Sequence, residues 1–292
     1  MLHKSGFVNI LGNPNVGKST LMNELVGEKL AIITSKAQTT RHRIMGIVNG
    51  KDFQIVYSDT PGIISPGYKL HESMMKSVSS AIIDADLIIY VTDVNEKTDK
   101  IHDFLNKLKN KKIPVLLAIN KVDLVKQETV NQLIREWGKI IPGAEIFPVS
   151  ALLKFNISRL FDRILELLPA GAPYYSKDTL TDRPERFFVS EIIREKLIIN
   201  YHQEIPYSVQ VEIESFKESE ELVKIRAIIY VLRNSQKGII IGHKGEPLKK
   251  VGKEARIDIE KFLAKKVYLE LFVKVSKDWR NKAGQLRNFG YR

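Results

Sequence analysis

Apolar residues fall into two kinds of pattern along this chain. Through its first 170 residues, short apolar runs bounded by Gly, Pro, Asn or Asp, such as FVNIL (7–11) and VLLAIN (115–120), predict buried strands. Segments with helical spacing lie between them, such as LMNELVG (21–27) and LFDRILELLP (160–169). Strands are expected near 7–11, 44–49, 53–58, 86–92, 113–119 and 145–148. This alternation predicts an α/β domain with a mostly parallel sheet covered on both faces, and the direct succession of the second and third strands predicts one antiparallel edge. The most apolar stretch, AIIDADLIIYVTDV (81–94), carries Asp84 and Asp86 and is too short to span a bilayer, so it reads as a helix end and a core strand.

After residue 168 the pattern changes. PAGAPYYSKDTLTDRP (169–184) has no helical period and reads as a linker, which divides the chain into domains at 1–170 and 185–292 around a linker at 171–184. Beyond it, VSEIIREKLIIN (189–200) predicts a helix, and strands are expected at about 208–214, 223–231 and 267–275. Two helical pieces flank the loop in GIIIGHKGEPLKKVG (238–252), and a short helix is expected in 276–292. The second half is therefore an α+β unit in the order α-β-β-α-α-β.

Composition narrows the class. A length of 292 residues suits two ordinary domains, each able to bury a core. The chain has no Cys, which excludes a disulfide framework, a thiolate metal site and a cysteine nucleophile. MLHKSGFVNILG enters the first strand at once, and no signal peptide is predicted. The charge is uneven: residues 223–292 hold 18 Lys and Arg against 6 Asp and Glu, whereas 1–222 balance at 28 of each. The whole net charge of +12 thus sits in the last 70 residues, which points to a nucleic acid or an anionic membrane surface. Lys107, Lys109, Lys111 and Lys112 fall at a helix end in the neutral half and read as a solvated face.

Residues 12–19, GNPNVGKS, carry the phosphate-loop pattern G-x-x-x-x-G-K-[ST] between a predicted strand and a predicted helix. Gly12, Asn13, Pro14, Asn15, Val16 and Gly17 would point backbone N–H groups at phosphates, with Thr20 next to them at the helix start. Lys18 is placed to reach the β- and γ-phosphates and Ser19 to offer its hydroxyl to Mg²⁺. Asp59, ending FQIVYSD, would deliver a carboxylate towards the metal, and Gly62 of DTPG would offer its N–H to a γ-phosphate. One of Thr39 and Thr40 in the polar QTTRHR segment would bind Mg²⁺ only with GTP present, Thr40 being preferred.

NKVD (120–123) makes the nucleotide a guanine nucleotide. Asp123 can accept from the guanine N1–H and exocyclic amine, a donor pair that adenine lacks, so the wrong base would leave a carboxylate unpaired. Asn120 would hold the loop and contact N7, and the Lys121 stem would cover the base. Ser150 and Ala151 would offer N–H groups to O6, with Leu152 completing SAL.

In the basic half, Gly242-His243-Lys244-Gly245 forms a G-x-x-G loop between helical pieces. Paired glycines let a backbone approach single-stranded sugar-phosphate, Lys244 adds charge, and an apolar wall of Ile239, Ile240 and Ile241 after Gly238 would receive unstacked bases. Trp279 and Leu286 read as core or as a lid over RNA, and the six histidines show no ligand spacing.

With these motifs in this order the chain resembles the translational GTPase-like family of small G domains with G1 to G5 motifs, in a form that carries a terminal KH domain. The resemblance implies a P-loop GTPase domain followed by a type II KH domain, a GTP-hydrolysing switch, and Mg²⁺ as cofactor. It further implies that the RNA is the 3′ end of 16S rRNA, that the role lies in 30S subunit biogenesis, and that a monomer works in the cytoplasm with peripheral association to the inner membrane face. A GTPase whose basic domain mainly binds anionic membrane is the alternative. Where many GTPases place a water-orienting Gln, this chain has Ile63, so no side-chain base is assigned and slow intrinsic turnover is expected. In relatives sharing the P-N-x-G-K-S form the Asn helps to hold K⁺, and Asn15 implies K⁺ stimulation here.

Overall fold

The structure, a computed structural model, describes residues 2–96 and 113–291, and the lysines at 107, 109, 111 and 112 lie outside that range. The chain forms two compact units. The first comprises residues 1–31, 40–66 and 73–182, and the second comprises 32–39, 67–72 and 183–292.

The first unit holds strands β1 (Lys4–Gly12), β2 (Ile44–Asn49), β3 (Phe53–Asp59), β4 (Leu87–Asp93), β5 (Val115–Asn120) and β6 (Glu145–Pro148) in the order β2-β3-β1-β4-β5-β6. Only β2 runs antiparallel, against β3, and every other neighbouring pair is parallel. The expected antiparallel edge is therefore present. β4 is buried along its whole length, as the continuous run LIIYVTD requires for a strand covered on both faces. Helices α1 (Lys18–Val26), α2 (Lys69–Ile83) and α3 (Gln127–Ile140) lie between these strands, and α4 (Ile157–Leu167) follows β6. Parallel pairing brings the carboxyl ends of β1, β3, β4 and β5 to one edge, where nucleotides bind in such sheets.

Residues 171–182, expected as linker, are laid against this sheet. Ala170 and Thr181 bridge to Lys4 and Gly46, and the Gln54 side chain accepts from the N–H groups of Tyr174 and Tyr175 at 2.7 and 3.0 Å. A segment without helical period can still be ordered by an open sheet edge that needs partners, and the unit boundary falls between Asp182 and Arg183.

In the second unit, α5 (Glu185–Asn200) and a short α6 (Ile205–Ser208) precede β7 (Gln210–Glu218) and β8 (Leu222–Val231). Helices α7 (Asn234–Ile241) and α8 (Glu246–Leu263), strand β9 (Lys266–Val275) and α9 (Ala283–Asn288) follow. The sheet runs β7-β8-β9, antiparallel and then parallel. Its core joins Val189, Ile193 and Leu197 of α5 to Ile225, Ala227 and Ile229 of β8 and to Val251, Ala255 and Ile259 of α8. Trp279 is fully buried and donates from Nε1 to Ser208 O at 3.0 Å, and Leu286 is buried too, so both are core.

Candidate nucleotide and RNA sites

The phosphate loop runs from the end of β1 into α1. Gly12 sits at φ +146°, and a Cβ there would lie 2.1 Å from Val91 O. At Gly17, φ +96°, a Cβ would lie 2.2 Å from Asn120 Nδ2. Both positions exclude side chains by conformation and by space. A Cβ at Gly62 would lie 2.7 Å from Pro14 N, and Ile63 N–H donates to Gly12 O at 3.1 Å, so the DTPG turn lies directly against the loop. The Ile63 side chain packs on the cluster that contains Val78 and Tyr90.

Three oxygen ligands expected for Mg²⁺ converge. Ser19 Oγ donates to Asp59 Oδ2 at 2.6 Å, and Thr40 Oγ1 lies 2.8 Å from Ser19 Oγ and 3.2 Å from Asp59 Oδ2. Thr39 is excluded from that set, because its hydroxyl donates to Lys36 O at 2.7 Å. Asp59 is fully buried and its Oδ1 has no partner among the described residues. A dry carboxylate oxygen beside two hydroxyls is a fitting donor set for a hard cation. Burial raises the Asp59 carboxyl above its usual range, with Lys18 opposing. Lys18 Nζ donates to Asn13 O at 2.7 Å, and burial pushes its pKa down to about 8 against the pull of Asp59 and Glu96. Both groups are thus shifted towards neutrality, and a phosphate beside the lysine with a cation beside the aspartate would reverse this.

Two acidic partners were not read from the sequence. Asp93 ends β4 and pairs with Lys121 Nζ at 2.5 Å, while the same amine donates to Asn15 O at 2.7 Å. Glu96 accepts from Asn13 Nδ2 and, at 2.6 Å, from Thr92 Oγ1. Their position at and just past the end of β4, beside the phosphate-loop strand, was the available signal.

Asn120 makes two hydrogen bonds within the protein. Its Nδ2 donates to Val16 O at 2.8 Å and its Oδ1 accepts from Ala151 N–H at 3.0 Å, so it braces the phosphate loop against SAL. The loop-holding role expected of Asn120 is thus present, its amide keeps a second N–H beyond the one given to Val16, and the Ala151 N–H is directed at the Asn120 side chain. Ser150 N–H donates to Phe155 O at 3.2 Å, and Leu152 is exposed. A cavity of about 340 Å³ lies between the two loops, lined by Asp123, Val122, Pro148, Ser150, Leu153 and Phe155.

In the second unit the G-x-x-G loop joins α7 to α8. Gly242 has φ +68° and a Cβ there would lie 2.4 Å from Pro247 Cγ, while Gly245 has φ +78° with open space around it. His243 and Lys244 are exposed, as are Lys249, Lys250, Lys253 and Arg256 on α8. The expected apolar wall is broken up: Ile240 is buried and its carbonyl accepts from Tyr201 OH at 2.6 Å, Ile241 is half-buried, and Ile239 and Gly238 alone are exposed. Helical periodicity turns every third or fourth residue to the core, which a run of three isoleucines conceals.

The fold and the two sites define a class: a guanine-nucleotide P-loop GTPase joined to a KH domain. The comparisons agree. The 50S ribosome-binding GTPase family matches residues 7–121 and the KH domain family matches 204–280. The chain is 47% identical over 291 residues to GTPase Era of Staphylococcus haemolyticus, covering 99% of this chain and 97% of that one. A crystal structure of Era in complex with MgGDPNP and nucleotides 1506–1542 of 16S ribosomal RNA superposes with a TM-score of 0.95 at 40% identity, covering 99% of both chains. A crystal structure of an Aquifex aeolicus Era variant bound to GDP·AlF4⁻ gives 0.94, with the same identity and coverage. The chain belongs to the Era family of GTPases.

Proposed function

We propose that this protein is a GTP-hydrolysing switch that binds the 3′ end of 16S rRNA through its KH domain and acts in 30S subunit biogenesis. The observation that carries this reading is the make-up of the second unit. Residues 32–39 and 67–72, which flank Thr40 and follow DTPG, are built into the unit that carries the G-x-x-G loop. Lys36 Nζ donates to the carbonyls of Ile198, in the last turn of α5, and of Tyr201, just beyond it, and Lys69 N–H donates to Asn281 Oδ1 at 3.2 Å. Segments that reorder with the γ-phosphate therefore belong to the RNA-binding unit, which is what coupling requires.

In this mechanism the phosphate-loop N–H groups and Lys18 orient the phosphates, and Asp123 selects guanine. Ser19, Thr40 and Asp59 would hold Mg²⁺, which would supply charge neutralisation to the phosphates. The Era complex with MgGDPNP supports that cofactor. With Ile63 packed against the core, the residue after DTPG cannot orient the attacking water, and slow intrinsic turnover is expected. Asn15 would hold K⁺, which would supply positive charge to the reacting phosphates, and hydrolysis is expected to run faster in K⁺ than in Na⁺ at equal ionic strength. Equal rates in the two salts would remove K⁺ from the mechanism. The exposed basic face of α8 holds the RNA backbone. The protein works in the cytoplasm and at the inner membrane face, and no described helix is long and apolar enough to cross a membrane.

The test is the affinity for a 16S rRNA 3′-end oligonucleotide with the protein loaded with a GTP analogue and then with GDP. Tighter binding with the analogue is expected. Equal affinity would make the KH domain a constitutive anchor and overturn the switch.

A further inference from the structure

The three-stranded sheet of the second unit has two faces of different kinds. Ile225, Ala227 and Ile229 of β8 and Val267 and Val273 of β9 belong to the core that α5 and α8 cover. Side chains alternate across a strand, so Lys224 and Arg226 of β8 and Tyr268, Phe272 and Lys274 of β9 lie on the opposite face. Phe289 of the C-terminal segment packs on Tyr230 at one end of that face, with ring centroids 5.1 Å apart. Beyond it, Tyr268 is 55% exposed and Phe272 is 45% exposed. Single exposed apolar residues are ordinary, but here two rings share one strand face with cations around them.

Those cations oppose one another. Lys224 lies in register with Lys217 of β7 on one side and with Tyr268 on the other, and Lys266 precedes Tyr268 on the same face. None of these three lysines has an ion-pair partner among the described residues. Like charges directly opposite each other destabilise a sheet. Lysine on an edge strand can block unwanted pairing, but β8 is the central strand, so that account does not cover Lys224. The carboxylates nearby are already engaged: Arg226 pairs with Glu270 at 3.1 Å and Glu214 at 3.9 Å, and Lys274 with Glu214 at 3.4 Å. Arg226 also lies over the Phe272 ring, 5.3 Å from its centroid.

We propose that this face is a second RNA-contact surface, on which Tyr268 and Phe272 stack unpaired bases while Lys217, Lys224 and Lys266 hold the phosphates of the same strand. Every base has a π-face, so rings joined to cations bind single-stranded RNA with little sequence preference, and an arginine against a ring adds to the attraction. Open sheet faces carrying aromatic rings are suited to this, because unpaired bases can splay onto them. Helices α7 and α8, which hold the G-x-x-G loop, contribute Ile240 and Val251 to the core on the other side of the sheet, so the two contacts are separate. A strand gripped at both would be held more tightly than at either alone. The inference rests on the reading of this unit as an RNA binder and adds a contact to it.

Oligo(U) of about 20 nucleotides is titrated into the full chain, since a G-x-x-G loop clamps only about four. Tyr268→Thr with Phe272→Thr removes both rings and keeps residues that favour strands. Affinity should fall at least about tenfold. Lys224→Gln with Lys266→Gln should lower the slope of log affinity against log salt by roughly one to one and a half. Phe272→Trp should bind as the unaltered protein does, with fluorescence of the added indole quenched by the RNA. Unchanged affinity after loss of both rings, or an indole that the RNA does not quench, overturns the proposal. So does a ring variant that loses binding to phosphatidylglycerol vesicles while keeping oligo(U), which would make the face a lipid surface. His243→Asp with Lys244→Asp blocks the loop. Residual binding that depends on the two rings then supports the second surface, and complete loss overturns it. No binding by the unaltered protein would overturn the RNA reading of the whole unit, and this surface with it.

Discussion

Lys18 is the residue whose chemistry the fold changes most usefully. Its pKa falls from 10.5 to about 8 because burial disfavours the ammonium. Between those values the folded, nucleotide-free protein has lost a proton that the unfolded chain retains, so the cost of burying the charge is lifted as pH rises above 8. A bound phosphate restores the charge. At pH 8, GDP binding in EDTA, where no metal perturbs Asp59, should take up roughly half a proton, and affinity should weaken as pH rises further. Calorimetry in buffers of different ionisation enthalpy reads this uptake, and none at pH 8 would show that Lys18 stays charged in the empty loop. The residues of this site were largely legible in the sequence, because a phosphate loop demands glycine and lysine at fixed spacing whatever surrounds them. Asp93 as the partner of Lys121 was not, since it depends on which strand ends the topology sets side by side.

At the level of elements, apolar runs located the strands because a parallel sheet must be apolar on both faces, and β4 is the clear case. The binary pattern failed where a side chain's partner lies far along the chain. α5 carries Glu191 and Arg194 at positions that look like a solvated stripe, yet both are buried. The segment 171–182 lacked periodicity and still found order on a sheet edge. Tyr201 belongs to this scale too: its hydroxyl ties the end of α5 to the last turn of α7, just before the G-x-x-G loop. Tyr201→Phe leaves Ile240 O unpaired in a buried setting, a cost of about 1 kcal/mol. The melting temperature should fall by a few degrees and RNA affinity should weaken, with GDP affinity unchanged. Thermal unfolding and an RNA titration check this, and RNA affinity equal to that of the unaltered protein would separate the α5 end from the loop.

For the molecule as a whole, charge was the most telling property of the sequence, because an excess confined to the last 70 residues assigns a partner to one half before any fold is known. What charge could not reveal is that the polypeptide passes between its two compact units at 31/32, 39/40, 66/67, 72/73 and 182/183. The modules named by chemistry are therefore not modules that can be cut from the chain. A fragment beginning at Arg183 would strand the buried Arg194 without the Thr39 carbonyl and leave the carbonyls at the end of α5 without Lys36. A fragment ending at Asp182 would carry two loops stripped of the surface that shapes them. Dissection into halves would thus compare two altered proteins, and a natural exchange of one half for another would have to replace three separated stretches of gene at once.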